Sequence, residues 1–509
     1  MYHAQYRKHR LAEISKQRLK LNREHNLLIP IAVLPDDILL RVFLMSFEKE
    51  DEYDTNSMAT MRYTSQVCSY WRDLTLGSPL HWCQINNRIN YKSGTLWLEE
   101  LLSRSKSSPL HVEIKFASKE ELEFASTILQ HSSRFCELEI FKDVPDPAFD
   151  DHLRSALENP MQYLHSLTII QHVEGSNQTF FEPDAPSLRC LHLINTPMPF
   201  NASSFSTITE LELSCDNASE EFTHALLYVL RDVESLKSLI TNGGTAPPQM
   251  TTASIPFTGN VHLPYLEIMR LSGTLYHCAH TAISVEIPTS CFCSIICTGL
   301  DNSQRSNLPL MTQAITKILS RCRAPEALLV DFLDYGLYVY AMEHATILHH
   351  EFLKLVFGRN LDFRDAIHLI SPFGNPFLNS VKHLRLGVKV AKDGQIDGSL
   401  HTLLYSCANV QTLELIGDDS VEIIFGLIQS HADAAYKILP ILRALIITEH
   451  KAYDFKSEEV DSIILSLIKW RCDIGLPLKS IEFFRKGSRN PLFIDQVNKI
   501  EGLVVIYNE

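Results

Sequence analysis

The chain has 509 residues, 45% hydrophobic and 21% charged, a composition that excludes a disordered or low-complexity protein. That length predicts two to four domains unless repeats are present. The formal net charge of -14 argues against a general nucleic-acid binder, which would carry a basic domain or face. Near the start the longest apolar run, Leu27 to Leu34, contains Pro30 and falls far short of the roughly 20 residues a membrane span needs. The first residues also lack the apolar stretch of a secretion signal. A cytoplasmic or nuclear protein with no membrane partner is expected. The twelve cysteines fall mostly inside apolar patterns and read as small buried hydrophobes in a reducing compartment.

Residues 1–30 open the chain with a basic segment. Seven Lys/Arg (Arg7, Lys8, Arg10, Lys16, Arg18, Lys20, Arg23) stand against Glu13 and Glu24. Leu11, Ile14 and Leu21 lie near a heptad seam that Arg18 interrupts, so the pattern supports at most a short, solvated helix. A nuclear-import or acidic-partner patch is the functional alternative.

The next element is Leu34-Pro35-Asp36-Asp37-Ile38-Leu39-Leu40-Arg41-Val42-Phe43. Pro35 suits a first helical position, where its missing N–H is no loss. Asp36 and Asp37 then fill a first turn, where the helix dipole favours negative charge. Ile38, Val42 and Phe43 recur at helical spacing. The loop at residues 48–56 is acidic and reads as a solvated insertion. A second amphipathic helix follows at Ser65-Gln66-Val67-Cys68-Ser69-Tyr70-Trp71-Arg72, and then Ser78-Pro79-Leu80-His81-Trp82. Helices this short cannot bury their apolar faces alone and must pack on the rest of the chain or on a partner.

Taken together, LPxxILxxVF, SxVCxxWR and the SPxxW tail resemble an F-box over residues 31–85. The long acidic loop departs from the shorter one that family members often have. The resemblance implies an all-helical module that docks on the Skp-type adaptor of cullin–RING ubiquitin ligases. Carried over by motif, the adaptor contacts would be Leu34, Pro35, Ile38, Leu39, Val42, Phe43, Val67, Cys68 and Trp71. Two amphipathic core helices of an ordinary domain are the alternative.

Residues 86–509 contain a recurring unit of apolar, two residues, apolar, one residue, apolar. Its copies start at Leu164, Leu188, Ile208, Leu266, Val381, Val410, Leu442 and Leu478, with a partial copy at Leu236. The last two apolar positions of each copy alternate like one face of a strand. Successive starts from Leu164 lie 24, 20, 28 and 30 residues apart, then 29, 32 and 36 beyond Val381. Between copies, Ser219-Glu220-Glu221, Asp419-Ser420-Val421-Glu422 and Ser457-Glu458-Glu459 carry the polar openings and acidic first turns of helices.

This alternation resembles leucine-rich repeats, whose period is about 20–29 residues with LxxLxL strands. The position that often holds Asn in that family is His172, Thr196, Asp216 or Asp418 here. The fold class expected is therefore α/β, an all-helical F-box followed by an irregular leucine-rich-repeat-like solenoid. Residues 272–380 hold no clean copy, and degenerate repeats or an insertion both remain open there. Helices are predicted over Met311–Cys322 and His344–Phe357. If the repeats stack, Thr168, His192, Glu212, Arg270, Arg385, Glu414, Ile446 and Glu482 should share one open face.

No phosphate-binding loop, dinucleotide fingerprint, HExxH or GxSxG is present. His277, Cys278 and His280 followed by Cys291, Cys293 and Cys297 have spacings a zinc site could use. The segment Cys291 to Cys297 reads better as a strand with its cysteines on one face, so no metal and no cofactor are expected. His344, His349 and His350 beside Glu343 and Glu351 read as a solvated helix face. The function implied by the two resemblances is a non-catalytic substrate receptor of an SCF-type ubiquitin ligase, its repeats holding an unknown target protein. A scaffold using the same two parts without ligase activity is the alternative.

Overall fold

The structure, a computed structural model, describes residues 2–46, 63–87, 94–172, 184–196, 206–215, 220–243, 257–298, 304–333, 336–343, 351–358, 363–373, 375–388, 398–430, 438–448, 457–484 and 491–508. The acidic loop at 48–56 and the histidines at 344, 349 and 350 lie outside these residues. The chain divides into two compact units, Met1–Ser166 with Pro183–Ala185, and Leu167–Glu182 with Pro186–Glu509.

The first unit starts with one helix over Tyr2–Leu27, far longer than the short helix predicted. Its described side chains are exposed almost throughout, and it has no apolar face to bury. The ion pairs Arg10–Glu13 (2.9 Å) and Lys20–Glu24 (3.9 Å) give it the support that spaced opposite charges supply. A tight turn at Pro30–Val33 leads into the helix Asp36–Met45. Pro35 is the cap residue of this helix, one position earlier than predicted, and the two aspartates occupy the first turn. The helix Ser69–Gly77 and the turn Pro79–Trp82 follow.

Then strands and helices alternate. β1 (Gln84–Asn86), β2 (Leu110–Phe116) and β3 (Phe135–Lys142) pair in parallel, in that order. Their crossovers are the helices Gly94–Ser105 and Leu122–Leu129, and the helix Pro147–Leu157 follows β3. Asp146 caps that last helix by accepting from the Ala148 and Phe149 amides, which satisfies orphan donors at its start. Val112, Ile114, Phe116, Leu138 and Ile140 face a core that Ala125, Ile128 and Phe149 close. Phe116 stacks on Phe149 at 4.4 Å. No repeat copy marks this stretch, so its strands went unseen in the sequence.

In the second unit the recurring units are strands. They are β4 (Ser166–Gln171), β5 (Cys190–Ile194), β6 (Glu210–Cys215), β7 (Ser238–Gly243) and β9 (Ile268–Gly273). Beyond the gap come β15 (His383–Val388), β16 (Thr412–Ile416), β17 (Ala444–Thr448) and β18 (Ser480–Phe484), with β19 (Val504–Asn508) as a further strand. All three apolar positions of every full copy are buried, from Leu164, Leu167 and Ile169 to Leu478, Ile481 and Phe483. The pairing is parallel and in register, so Leu384, Leu413, Leu445 and Ile481 stand side by side. The predicted helices are found at Glu220–Leu230, Asp418–Ser430 and Ser457–Asp473.

The gap region is both more regular and less regular than a row of repeats. β11 (Phe292–Cys297) continues the parallel row beside β9. After the helix Leu308–Arg321, which matches the prediction, the chain runs as β12 (Ala327–Leu333), β13 (Gly336–Met342) and β14 (Glu351–Phe357). These three form an antiparallel meander. It is laid into the sheet in reverse order, with β14 on β11 and β12 on β15. The helix expected over His344–Phe357 is thereby corrected, because its described part, from Glu351, is a strand. Leu353, Leu355 and Phe357 are buried at every second position, a strand period that short apolar runs share ambiguously with helices. A separate small pair joins β8 (Val261–His262) to β10 (Val285–Glu286). Among the described residues no helix is long and apolar enough to cross a membrane.

Candidate protein-docking surface

The helix Asp36–Met45 has two apolar edges that the sequence did not separate. Leu39 (0% exposed) and Phe43 (4%) point into the first unit. There Phe43 packs on Trp71 at 4.6 Å and edge-on to His81 at 6.2 Å. Ile38 (43%), Val42 (43%) and Met45 (60%) lie on the solvent side at i, i+4 and i+7. Pro35 is exposed, as is Val67 (59%), while Leu34, Cys68 and Trp71 are half-buried. Of the nine residues assigned to adaptor docking, Leu39 and Phe43 are therefore core residues that shape the surface from behind. The others reach solvent to differing degrees. Met45, Tyr70 and Leu80 are exposed apolar side chains on the same segments that the motif did not include.

Several polar contacts hold these segments together. The Cys68 sulfur accepts from the Trp71 amide at 3.4 Å and caps the helix Ser69–Gly77. Tyr70 donates to Asp36 across the two helices at 2.5 Å, and this bond raises the tyrosine pKa. Trp82 donates its indole N–H to the Thr75 carbonyl at 2.9 Å. His81 sits 3.0 Å from the Ser78 hydroxyl and also bonds the Leu40 backbone; burial lowers its pKa, and the Leu40 contact works against that. The SPxxW tail is thus a clamp on the helix pair. A stack follows it, with the Arg104 guanidinium 4.3 Å above the Trp82 ring and Trp97 edge-on at 6.4 Å.

A cleft of about 630 Å³ lies beside these segments, lined by Leu44, Leu80, Val112, Glu113 and Glu137 among others. Glu137 bridges two histidines there, His111 at 2.8 Å and His165 at 3.1 Å. Hydrogen bonds to the Cys136 sulfur and to Glu137 raise the His111 pKa to about 10. The His111 contact and the second bond from His165 hold Glu137 at about 2, against a smaller opposing effect of burial.

The second candidate surface is the face of the second unit's sheet opposite the buried apolar rows. Register places His192, Glu212, Ile240 and Arg270 in one line across β5, β6, β7 and β9. Arg385, Glu414, Ile446 and Glu482 form the matching line across β15 to β18. The eight residues expected on one face do alternate with buried neighbours, but of these eight only Arg270 is exposed, the others being half-buried. Thr168 lies 3.5 Å from His192, and Arg385 lies 3.8 Å from Glu414. Glu414 is also met by His383 (3.5 Å) and Thr448 (3.1 Å); burial alone would raise its pKa, but these contacts with the Arg385 charge leave it lowered.

The zinc candidates do not converge, and among the described residues no group of three or more His, Cys, Asp or Glu is placed to hold a metal ion. His277 instead lies between the Thr223 hydroxyl (2.9 Å) and the Thr241 hydroxyl (3.0 Å). Cys291, Cys293 and Cys297 are buried around a strand, as the alternation suggested. Compared with known proteins, the chain matches no family model and no curated protein sequence.

Proposed function

We propose that the chain is a substrate receptor of an SCF-type ubiquitin ligase, with residues 31–85 as its F-box and the repeat-bearing sheet as its target-binding part. The observation that carries this reading is the line of exposed apolar side chains Ile38, Val42 and Met45. It runs along a helix whose other edge is already packed on Trp71. Apolar side chains left in water at helical spacing on a clamped scaffold favour a protein partner. A Skp-type adaptor is the partner that the Leu34-Pro35, Val67-Cys68-x-x-Trp71 and Ser78-Pro79 sequence suggests. The parallel rows of β5, β6, β7 and β9 and of β15–β19 support a leucine-rich-repeat-like solenoid as the second part, with its polar ladder turned to a target protein. The chain's contribution would be proximity. Holding a target near a charged ubiquitin carrier raises effective concentration and requires no acid or base from this protein.

The test separates docking from folding. Ile38→Lys with Val42→Lys should reduce co-purification of a Skp-type adaptor at least tenfold and leave the circular dichroism melt unchanged, because both side chains are solvent-facing. Leu34→Ala with Pro35→Ala should act in the same direction. Adaptor retention at the unmodified level by the double Lys variant would sink the F-box reading. Ubiquitin transfer to a co-purified protein in a reconstituted ligase would distinguish a receptor from a scaffold that uses the same docking surface.

A further inference from the structure

The meander changes the charge of the sheet face on which the second unit's polar ladder lies. Register joins one row across it: Arg270 of β9, Ser294 of β11, Lys354 of β14, Tyr340 of β13, Leu329 of β12 and Arg385 of β15 stand side by side. Their chain neighbours Leu271, Leu355 and Leu386 are buried, so the row lies on the face opposite the apolar core. The row meets its first acidic residues only at Glu212 on β6 and Glu414 on β16. The two acidic residues of these six strands, Glu351 and Asp331, fall outside it. In a chain of net charge -14, this stretch of three cations runs against the overall balance.

Two of the cations stand over rings of adjoining strands. The Arg270 guanidinium lies 5.8 Å from the centre of the Phe292 ring, and the Lys354 ammonium 5.6 Å from that of Tyr340. Among the described residues neither cation has a carboxylate partner. Stacking restrains the long side chains and leaves their N–H groups to an incoming acceptor, which lowers the ordering cost of binding. Arg385 differs, since Glu414 meets it at 3.8 Å and closes the far side of the row. Between them Tyr340 packs on Ala327, Leu329 and Met342, an apolar floor beside the two stacked cations.

We propose that Arg270 and Lys354 bind an acidic, extended segment of a partner protein, with one carboxylate on each cation and an apolar residue of the same segment beside Tyr340. The proposal rests on the reading of this sheet as the target-binding part, and it names what a target presents there. Arg270 and Lys354 are two strands apart, about 10 Å, which about three residues of extended chain span. The matching segment therefore has two Asp or Glu residues three positions apart. Carboxylates fit better than one phosphate group, because the cations are too far apart to converge on a single anion. A nucleic-acid backbone fits worse, since its continuous charge would also run over Glu212 and Glu414.

The test is fluorescence anisotropy on the full chain with a labelled Ser/Gly peptide carrying Glu-x-x-Glu flanked by leucines. The unmodified protein should bind it saturably and bind the Gln-x-x-Gln peptide about tenfold more weakly or less. Arg270→Gln with Lys354→Gln should cause a similar loss, whereas Arg270→Lys with Lys354→Arg should keep most of the affinity. Lys499→Gln, at an exposed lysine outside the sheet, should change nothing. The Glu and Gln peptides compared on the unmodified chain keep the outcome decisive even if a variant folds poorly. Equal binding of the two peptides, no saturable binding, or full affinity in the double Gln variant overturns the proposal. Tighter binding of a singly phosphorylated Ser/Gly peptide, or of a single-stranded oligonucleotide, also overturns it. The titration contains no adaptor, so its failure and a failure of the F-box reading are seen separately.

Discussion

At the scale of single residues, His277 shows how a polar group is made tolerable inside a core. It is 1% exposed, and both ring nitrogens have a hydroxyl partner, Thr223 on one side and Thr241 on the other. Burial first, and the charge of His280 second, push its pKa down to about 4. The unfolded chain takes up this proton near pH 6.5, and the folded chain only near 4. Stability from this group is therefore full above pH 6.5 and is lost as pH falls toward 4, by up to about 1.4 kcal/mol per pH unit. Denaturant titrations from pH 7.5 to 4.5 should show this slope in the unmodified protein and a shallower one in His277→Gln; equal slopes would remove His277 as the cause. The site also depends on glycine. A Cβ on Gly243 would fall 2.6 Å from the His277 ring, and one on Gly273, at φ +122°, only 1.8 Å from the Gly243 carbonyl oxygen. Sequence spacing grouped His277 with nearby cysteines because it cannot reveal that two threonines from other elements fill the imidazole's bonding positions.

At the scale of elements, the helix Asp36–Met45 was legible in its existence and its opening turn, since Pro35, Asp36 and Asp37 mark a start by local chemistry. What the sequence could not decide was which apolar edge turns inward. Ile38 and Val42 are as hydrophobic as Leu39 and Phe43, and a period of 3.6 places these pairs on adjoining edges of one stripe. Only Trp71, brought up by the second helix, selects Phe43 as the inner residue. Phe43→Ala should therefore cost about 3–5 kcal/mol of unfolding free energy. Ile38→Ala, at an exposed site, should cost about 0.5 kcal/mol or less. Thermal and denaturant melts of the two variants would check this, and equal losses would mean that the inner and outer edges are wrongly assigned. The strand β14 is the opposite case. Its neighbours supplied the evidence, because LKLVF fits a helix turn or a strand until β13 and β11 flank it.

At the scale of the whole molecule, burial and pairing follow the repeat pattern wherever the pattern is present. The rows through Leu384, Leu413, Leu445 and Ile481 continue to Val505, and those through Leu386, Leu415, Ile447 and Phe483 continue to Tyr507. Strands held on both sides should open only with the unit around them, while β19, whose one strand partner among the described residues is β18, should open more readily. Hydrogen exchange read by mass spectrometry should thus show slower exchange in β16 and β17 than in β19. Faster exchange in the central strands would contradict the strand order. The sheet also takes in an antiparallel meander with no repeat signature, in reversed strand order, and both its neighbours remain parallel partners.

The sequence by itself determined the local and periodic features. The start of the helix Asp36–Met45, the apolar rows of the recurring units and the helices between many of them all come from interactions a few residues apart or from a spacing that repeats. Tertiary structure decided everything that needed a distant partner: which edge of the helix Asp36–Met45 stays in water, how the 272–380 region joins the sheet, and the hydroxyl cage of His277. The physical reason is that an apolar or polar side chain declares what it must avoid or satisfy, while the group that satisfies it is chosen only when remote segments close around it.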